Sequence, residues 1–229
     1  MKNNRIIFLA IDTSSLSEVK KIIKNTKNSI FQIVPKFGLQ FFYSKNGRKY
    51  LEKFKGNYFL DLKIMDVSNT AMKAIDSIKD LAGCKYITVH AHGGYKMMRA
   101  VVKKARLTKK LVLGVTVLTS LDNKSIKELG HTKSIDQIVL KQASLIKKAG
   151  CHGIVASAHE AKIIKKKYKN LFVITPGIRL PGDNKDDQSR VVSPRDAFYK
   201  YNADAIVLGR SLTRSNIKRN LKKLIDHLN

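Results

Sequence analysis

Eight short runs of apolar and β-branched residues recur along the chain, each separated from the next by enough sequence for a helix. They are Ile6 to Ile11, Ile30 to Val34, Tyr58 to Leu62, Tyr86 to His90, Leu111 to Thr116, Gly153 to Ala156, Leu171 to Thr175 and Ala205 to Leu208. Most are nearly unbroken rather than alternating, which is the pattern of strands covered on both faces of a parallel sheet. Helical spacing shows between them: Leu16, Val19, Ile22 and Ile23; Met72, Ile75 and Ile78; Ile135, Ile138, Val139, Leu145 and Ile146; and a closing Ile217, Leu221, Leu224, Ile225 and Leu228. Strand and helix therefore alternate. With 229 residues and 43% hydrophobic content, the chain suffices for one substantial core. The expectation is an α/β fold, a (β/α)₈ TIM barrel forming a single domain over residues 1–229, with an open doubly wound sheet as the alternative. No low-complexity linker, composition break or internal repeat divides the chain.

In such barrels the reacting groups come from the C-terminal ends of the strands, whose loops share one face. Just past the successive runs stand Asp12, then Lys36, then Asp61 and Lys63, then His90 and His92, then Thr119 and Ser120, Ser157, Gly177 and Arg179, and Gly209 and Arg210. Loop polarity alone accounts for Ser157, and poorly for the charged pair that follows Tyr58-Phe59-Leu60. Asp61 and Lys63 are two apart, so they share a face if strand geometry continues that far. The direction of Asp66 does not follow from the strand period. An isolated buried charge is costly, so Asp61, Lys63 and Asp66, together with Lys36 from the preceding strand, suit a mutually compensating array. Spacing alone leaves an ordinary ion-pair cluster at a barrel mouth as an equal reading.

Charge is the other conspicuous feature. Lys and Arg number 45 against 17 Asp and Glu, a net charge of +28. That surplus fits nucleic-acid binding in principle. Most of it is lysine scattered over helices, as at Lys20, Lys21, Lys24, Lys27 and Lys165 to Lys167, with abundant Asn and Ile, a mix typical of AT-rich coding. No basic tail or aromatic-interleaved patch concentrates it, so solvated faces are the simpler reading, although an anionic substrate is still attracted. Cys84 and Cys151 are far apart and lack the spacing of a zinc site or a disulfide framework. There is no long apolar span, and the N-terminus runs straight into a strand. A reduced, cytoplasmic protein without membrane attachment is expected.

The run Phe59-Leu60-Asp61-Leu62-Lys63-Ile64-Met65-Asp66-Val67-Ser68-Asn69-Thr70 resembles the Asp-x-Lys-x-x-Asp signature of the orotidine 5′-phosphate decarboxylase family. One position departs from it: Ser68 stands where that family usually carries proline, glycine or alanine, which removes no chemical group. The likeness continues in order along nearly the whole chain. Ala10-Ile11-Asp12, Lys36-Phe37-Gly38, Val89-His90-Ala91-His92-Gly93-Gly94 and Val117-Leu118-Thr119-Ser120 resemble the motifs of the first, second, fourth and fifth strands. Thr175-Pro176-Gly177-Ile178-Arg179, continuing to Asp187-Gln188-Ser189-Arg190, resembles the family's phosphate-lid loop, and Leu208-Gly209-Arg210 its last motif.

The resemblance implies a cofactor-free conversion of orotidine 5′-monophosphate to UMP and carbon dioxide, in pyrimidine biosynthesis. Lys63 then protonates the carbon that loses carbon dioxide, and Asp61 stands beside the departing carboxylate. Lys36 and Asp12 hold the ribose hydroxyls and complete the charge array. Asp66 and Thr70 enter from the other subunit of a homodimer. Thr119 and Ser120 meet the pyrimidine edge, and Arg179, Gln188, Gly209 and Arg210 hold the phosphate. The last assignment has independent support, because loops after the seventh and eighth strands of barrels often bind phosphate and an arginine offers a bidentate fork.

His90-Ala91-His92 has the spacing of a metal pair, yet no acidic or histidine partners are evident and no metal is expected. Two alternatives remain. Related barrels acting on sugar phosphates share the Asp-x-Lys-x-x-Asp segment but use magnesium, against which Thr119-Ser120 and Gln188 weigh. A nucleic-acid-binding barrel rests on charge alone.

Overall fold

The structure, a computed structural model, describes residues 5–28, 30–183 and 191–229. Its strands are β1 (Ile6–Ile11), β2 (Gln32–Gly38), β3 (Tyr58–Ile64), β4 (Cys84–His90), β5 (Leu111–Val115), β6 (Gly153–Val155), β7 (Phe172–Thr175) and β8 (Ala205–Leu208). Each pairs in parallel with the next, and β8 returns to β1, so the sheet closes into a barrel. This settles the choice against an open sheet. The helices are α1 (Leu16–Asn25), α2 (Leu39–Phe42), α3 (Gly47–Lys53), α4 (Ser68–Asp76), α5 (Gly94–Leu107), α6 (Asn123–Glu128), α7 (Ile135–Ala149), α8 (Ala158–Lys167), α9 (Pro194–Tyr199), α10 (Arg210–Thr213) and α11 (Ile217–Leu228). Ser68 opens α4 without help from a proline.

Two strands run further than their apolar runs suggest. β2 continues through Pro35 to Gly38, so Lys36 lies within the strand rather than beyond it. Pro35 lacks an N–H donor and reads as a strand end in sequence, but here it is accommodated opposite Leu9 of β1. β3 reaches Ile64 and so contains both Asp61 and Lys63.

Alternate residues of the strands face opposite ways and build two cores. Phe8, Val34, Phe59, Tyr86, Leu113, Ile174 and Ala205 fill the barrel interior. Ile7, Leu9, Ile11, Phe37, Leu60 and their counterparts pack outward against the helices. Inside, Phe8 meets Phe59 and Tyr86 edge-on, with ring centroids 4.9 and 5.1 Å apart. Such pairs contribute roughly 1 kcal/mol each beyond the area they bury. On the outer face Gly114 lets α7 approach β5 closely, since a Cβ there would stand 2.5 Å from Ile146 Cγ1.

Local chemistry fixes the helix starts. Ser134 and Ser157 each form a reciprocal capping box, with Gln137 and Glu160 respectively. Ser157 is thereby accounted for as the start of α8. Cys84 and Cys151 are free and buried. Among the described residues no helix is long and apolar enough to cross a membrane.

Candidate active site

Above the aromatic layer, at the C-terminal end of the barrel, lies a cavity of ≈ 340 Å³. Phe59, Ala10, Val115, Val155 and Val207 give it apolar walls, and Asp12, Lys36, Asp61, Lys63, Thr119, Ser120, Arg179, Gly209 and Arg210 supply its polar lining. With Gly177, which also lines it, ten of the residues singled out in the sequence meet around one space, although they come from six strands and the loops that follow them.

Asp61 is the hub of the charged end. Its Oδ2 accepts from Lys36 Nζ at 3.1 Å and its Oδ1 pairs with Lys63 Nζ at 3.0 Å. Lys36 also lies 3.9 Å from Asp12 Oδ1. The side chains of Lys36 and Asp61 are only 9% and 12% exposed. Burial opposes charge on Asp61, yet the Lys36 and Lys63 ammonium groups, with hydrogen bonds from Lys63 and Thr88, hold its carboxyl down at about 2. Burial likewise works against the Lys36 ammonium and is outweighed by Asp61 and Asp12, so its pKa is raised. Asp61 and Lys36 are therefore both charged at neutral pH.

The strand bends to make this possible. Leu60 pairs with Ile87 and Ile64 with Val89, so β3 spends four steps where β4 spends two. Within this bulge Lys63 adopts φ +48°, a left-handed conformation costing a non-glycine residue about 1–2 kcal/mol. Thr88 of β4 spans the gap. Its hydroxyl accepts the Lys63 backbone N–H at 2.8 Å and donates to Asp61 Oδ1 at 2.9 Å. Sequence reasoning passed over Thr88, whose one signal was a hydroxyl in the middle of a buried strand.

Arg179 and Arg210 stand on the opposite side, beyond β7 and β8. They also line an adjoining hollow of ≈ 260 Å³ that adds Ser211, Arg214, Ser215 and Asn220, with Gly182 and Asp183. The clustered guanidinium groups suit an anion with several acceptor oxygens. Among the described residues a Cβ on Gly209 would meet only Ala10 Cβ, at 3.5 Å. Packing does not require glycine at that position, and its bare backbone leaves room for a ligand.

Asp66 and Thr70 do not line the cavity. Both are exposed, and Asp66 Oδ1 accepts from Val67 N–H at 2.6 Å. Gln188 lies outside the described residues. His90 faces the rim, where its Nδ1 accepts the His92 backbone N–H at 3.3 Å, and His92 meets His131 edge-on at 5.7 Å between centroids. Burial, then His92 and Lys63, pushes the His90 pKa down to about 4. Among the described residues no group of three or more His, Cys, Asp or Glu is placed to hold a metal ion.

The sequence profile of the orotidine 5′-phosphate decarboxylase / HUMPS family matches residues 5–223. The orotidine 5′-phosphate decarboxylase of Wolbachia sp. subsp. Brugia malayi (strain TRS) is 38% identical over 222 residues, covering 96% of each chain. That of Coxiella burnetii (strain RSA 331 / Henzerling II) is 35% identical over 217 residues, covering 91% of this chain and 90% of the other. Among solved structures, the orotidine 5′-phosphate decarboxylase from Lactobacillus acidophilus superposes with a TM-score of 0.80 at 26% identity, covering 99% of this chain and 100% of that one.

Proposed function

The chain belongs to the orotidine 5′-phosphate decarboxylase / HUMPS family, and on that footing we propose that it converts orotidine 5′-monophosphate to UMP and carbon dioxide, a step of pyrimidine biosynthesis, with no cofactor. The observation that carries the reading is the buried Lys36–Asp61–Lys63 array facing, across one cavity, the arginine pair Arg179 and Arg210. A nucleotide monophosphate matches that polarity. Its phosphate suits the arginine side and the Gly209 backbone, its ribose hydroxyls suit Lys36 and Asp12, and its pyrimidine edge suits Thr119 and Ser120.

In the reaction the C6–carboxylate bond breaks and its electron pair stays on C6. Fixed positive charge beside that carbon is what lowers the barrier, and the Lys63 ammonium supplies it. Lys63 then gives one N–H proton to C6 and regains a proton from water. Asp61 crowds the substrate carboxylate with like charge, a repulsion relieved as neutral carbon dioxide leaves.

Asp66 and Thr70 belong to this reading as groups lent across a homodimer interface. Their exposure supports it, as does their setting: Met65 and Val67 are exposed apolar neighbours, and Leu39 and Tyr43, also exposed, follow the adjacent strand β2. A cytoplasmic location goes with the same family and with two free, buried cysteines.

The experiment is to follow loss of the 6-carboxylate from orotidine 5′-monophosphate in excess chelator. Full turnover is expected. Turnover that appears only on adding magnesium, with a sugar phosphate as the better substrate, overturns the proposal in favour of the magnesium-dependent relatives.

A further inference from the structure

Thr88 is fully buried on β4, in the interval where β3 passes from Leu60, opposite Ile87, to Ile64, opposite Val89. Its oxygen accepts the Lys63 backbone N–H at 2.8 Å. A threonine hydroxyl carries one proton, and here that proton points to Asp61 Oδ1, 2.9 Å away. The same carboxylate oxygen takes the Lys63 ammonium at 3.0 Å. The Lys63 backbone, the Lys63 ammonium, the Asp61 carboxylate and the Thr88 hydroxyl therefore close a ring of contacts. Lys63 itself sits at φ +48°, a conformation that a lysine holds only where its surroundings fix it. No other side chain bonds both the Lys63 amide and Asp61 among the described residues.

We propose that Thr88 is a positioning residue for the proton transfer: by tying the Lys63 backbone and the Asp61 carboxylate to β4 through one hydroxyl, it fixes where the Lys63 ammonium stands in the cavity. The assignment rests on the decarboxylase reading above, since Thr88 acts through Lys63. It separates two properties that a general packing role would not. Thr88 is remote from the arginine side that takes the phosphate, so substrate affinity should survive its loss. The reacting geometry should not, because a displaced acid loses its advantage steeply with distance.

The full chain is compared with Thr88→Val, which keeps the shape without the hydroxyl, and Thr88→Ser, which keeps the hydroxyl. Carbon dioxide release from orotidine 5′-monophosphate, UMP affinity and melting temperature are measured for each. Thr88→Val is expected to lower kcat by about 10²-fold with KM and UMP affinity within about threefold, and Thr88→Ser to restore kcat to within about fivefold of the parent. If Thr88→Val does not fold, Thr88→Ala takes its place, with the same expectation for kcat and KM. A hydroxyl-free variant with parental kcat overturns the proposal. So does a Thr88→Ser chain that melts like the parent yet has lost as much kcat as Thr88→Val. A parent chain that releases no carbon dioxide removes the decarboxylase reading and the role of Thr88 with it, whereas an active parent with an undisturbed Thr88→Val removes Thr88 alone.

Discussion

The Lys36 ammonium on β2 stands 3.1 Å from Asp61 Oδ2 on β3, and both side chains are largely withdrawn from water. Removing one member of a buried pair strands the other, a loss of about 3–5 kcal/mol when nothing compensates. Asp61 retains Lys63, so Lys36→Met is expected at the lower end, about 3 kcal/mol, in urea denaturation. Adding Asp61→Asn to the same chain should return part of the stability and none of the activity. A Lys36→Met chain as stable as the parent would show that the pair contributes nothing.

Acid should weaken the fold in two stages. His90 takes its proton at 6.5 ordinarily but at about 4 in the fold, so between these values the unfolded chain binds more protons. Its contribution is complete above pH 6.5 and is lost as the pH falls to about 4. Asp61 follows the same sign lower down, from 3.8 ordinarily to about 2 in the fold. Its share, about 2 kcal/mol, disappears over that lower interval. Lys36 has the opposite sense: its raised pKa contributes below 10.5 and is lost only as the pH climbs above that value. Denaturation midpoints measured from pH 7 to pH 2 should therefore fall in both intervals, and His90→Asn should shrink the upper one, leaving the same-signed share of His92 and His152, whose pKa values burial also lowers.

Under the proposed mechanism one side chain supplies both the stabilising charge and the proton, so Lys63→Ala should cut carbon dioxide release by about 10⁴-fold or more. UMP should still bind, since the arginine side is untouched. Retained turnover in this variant would end the mechanism.

Gly209→Ala isolates the phosphate end. Among the described residues the added methyl meets only Ala10, so the melting temperature should stay within about 2 °C of the parent while KM rises by about tenfold or more. An unchanged KM would remove the Gly209 backbone from the phosphate site.

Exposure of Asp66 leads to a mixing experiment. If the residue serves a neighbouring subunit, Lys63→Ala and Asp66→Ala chains, each inactive alone, should regain about a quarter of parental activity when unfolded and refolded together. The mixed dimer then has one site with both residues intact and one with neither. No recovery would place Asp66 in its own chain's site or outside any site.

Much of this architecture is legible in the amino-acid order, and for a physical reason. Strands buried on both faces must be nearly continuous in apolar residues, so their number and the rim that follows each of them survive in one dimension. Asp12, Lys36, Asp61, Lys63, Arg179 and Arg210 were placed by that rule, and the structure gathers them around one cavity. What the order conceals is register. The extra residues of β3 opposite β4 come from pairing between strands, so the left-handed Lys63 and its anchor Thr88 leave no local trace. The second apolar run stops at Val34, yet β2 continues through Pro35, which the barrel accommodates opposite Leu9. The outward stance of Asp66 depends on a turn and a bond to its own neighbour Val67, which no periodicity encodes.

Phe8, Phe59 and Tyr86 plug the barrel beneath the cavity, and Phe59 belongs to both the plug and the cavity wall. Traffic through the site is then two-way along one doorway at the rim. On the proposed reading, carbon dioxide and UMP must then leave by the rim through which the nucleotide entered, because the aromatic plug closes the barrel beneath the cavity.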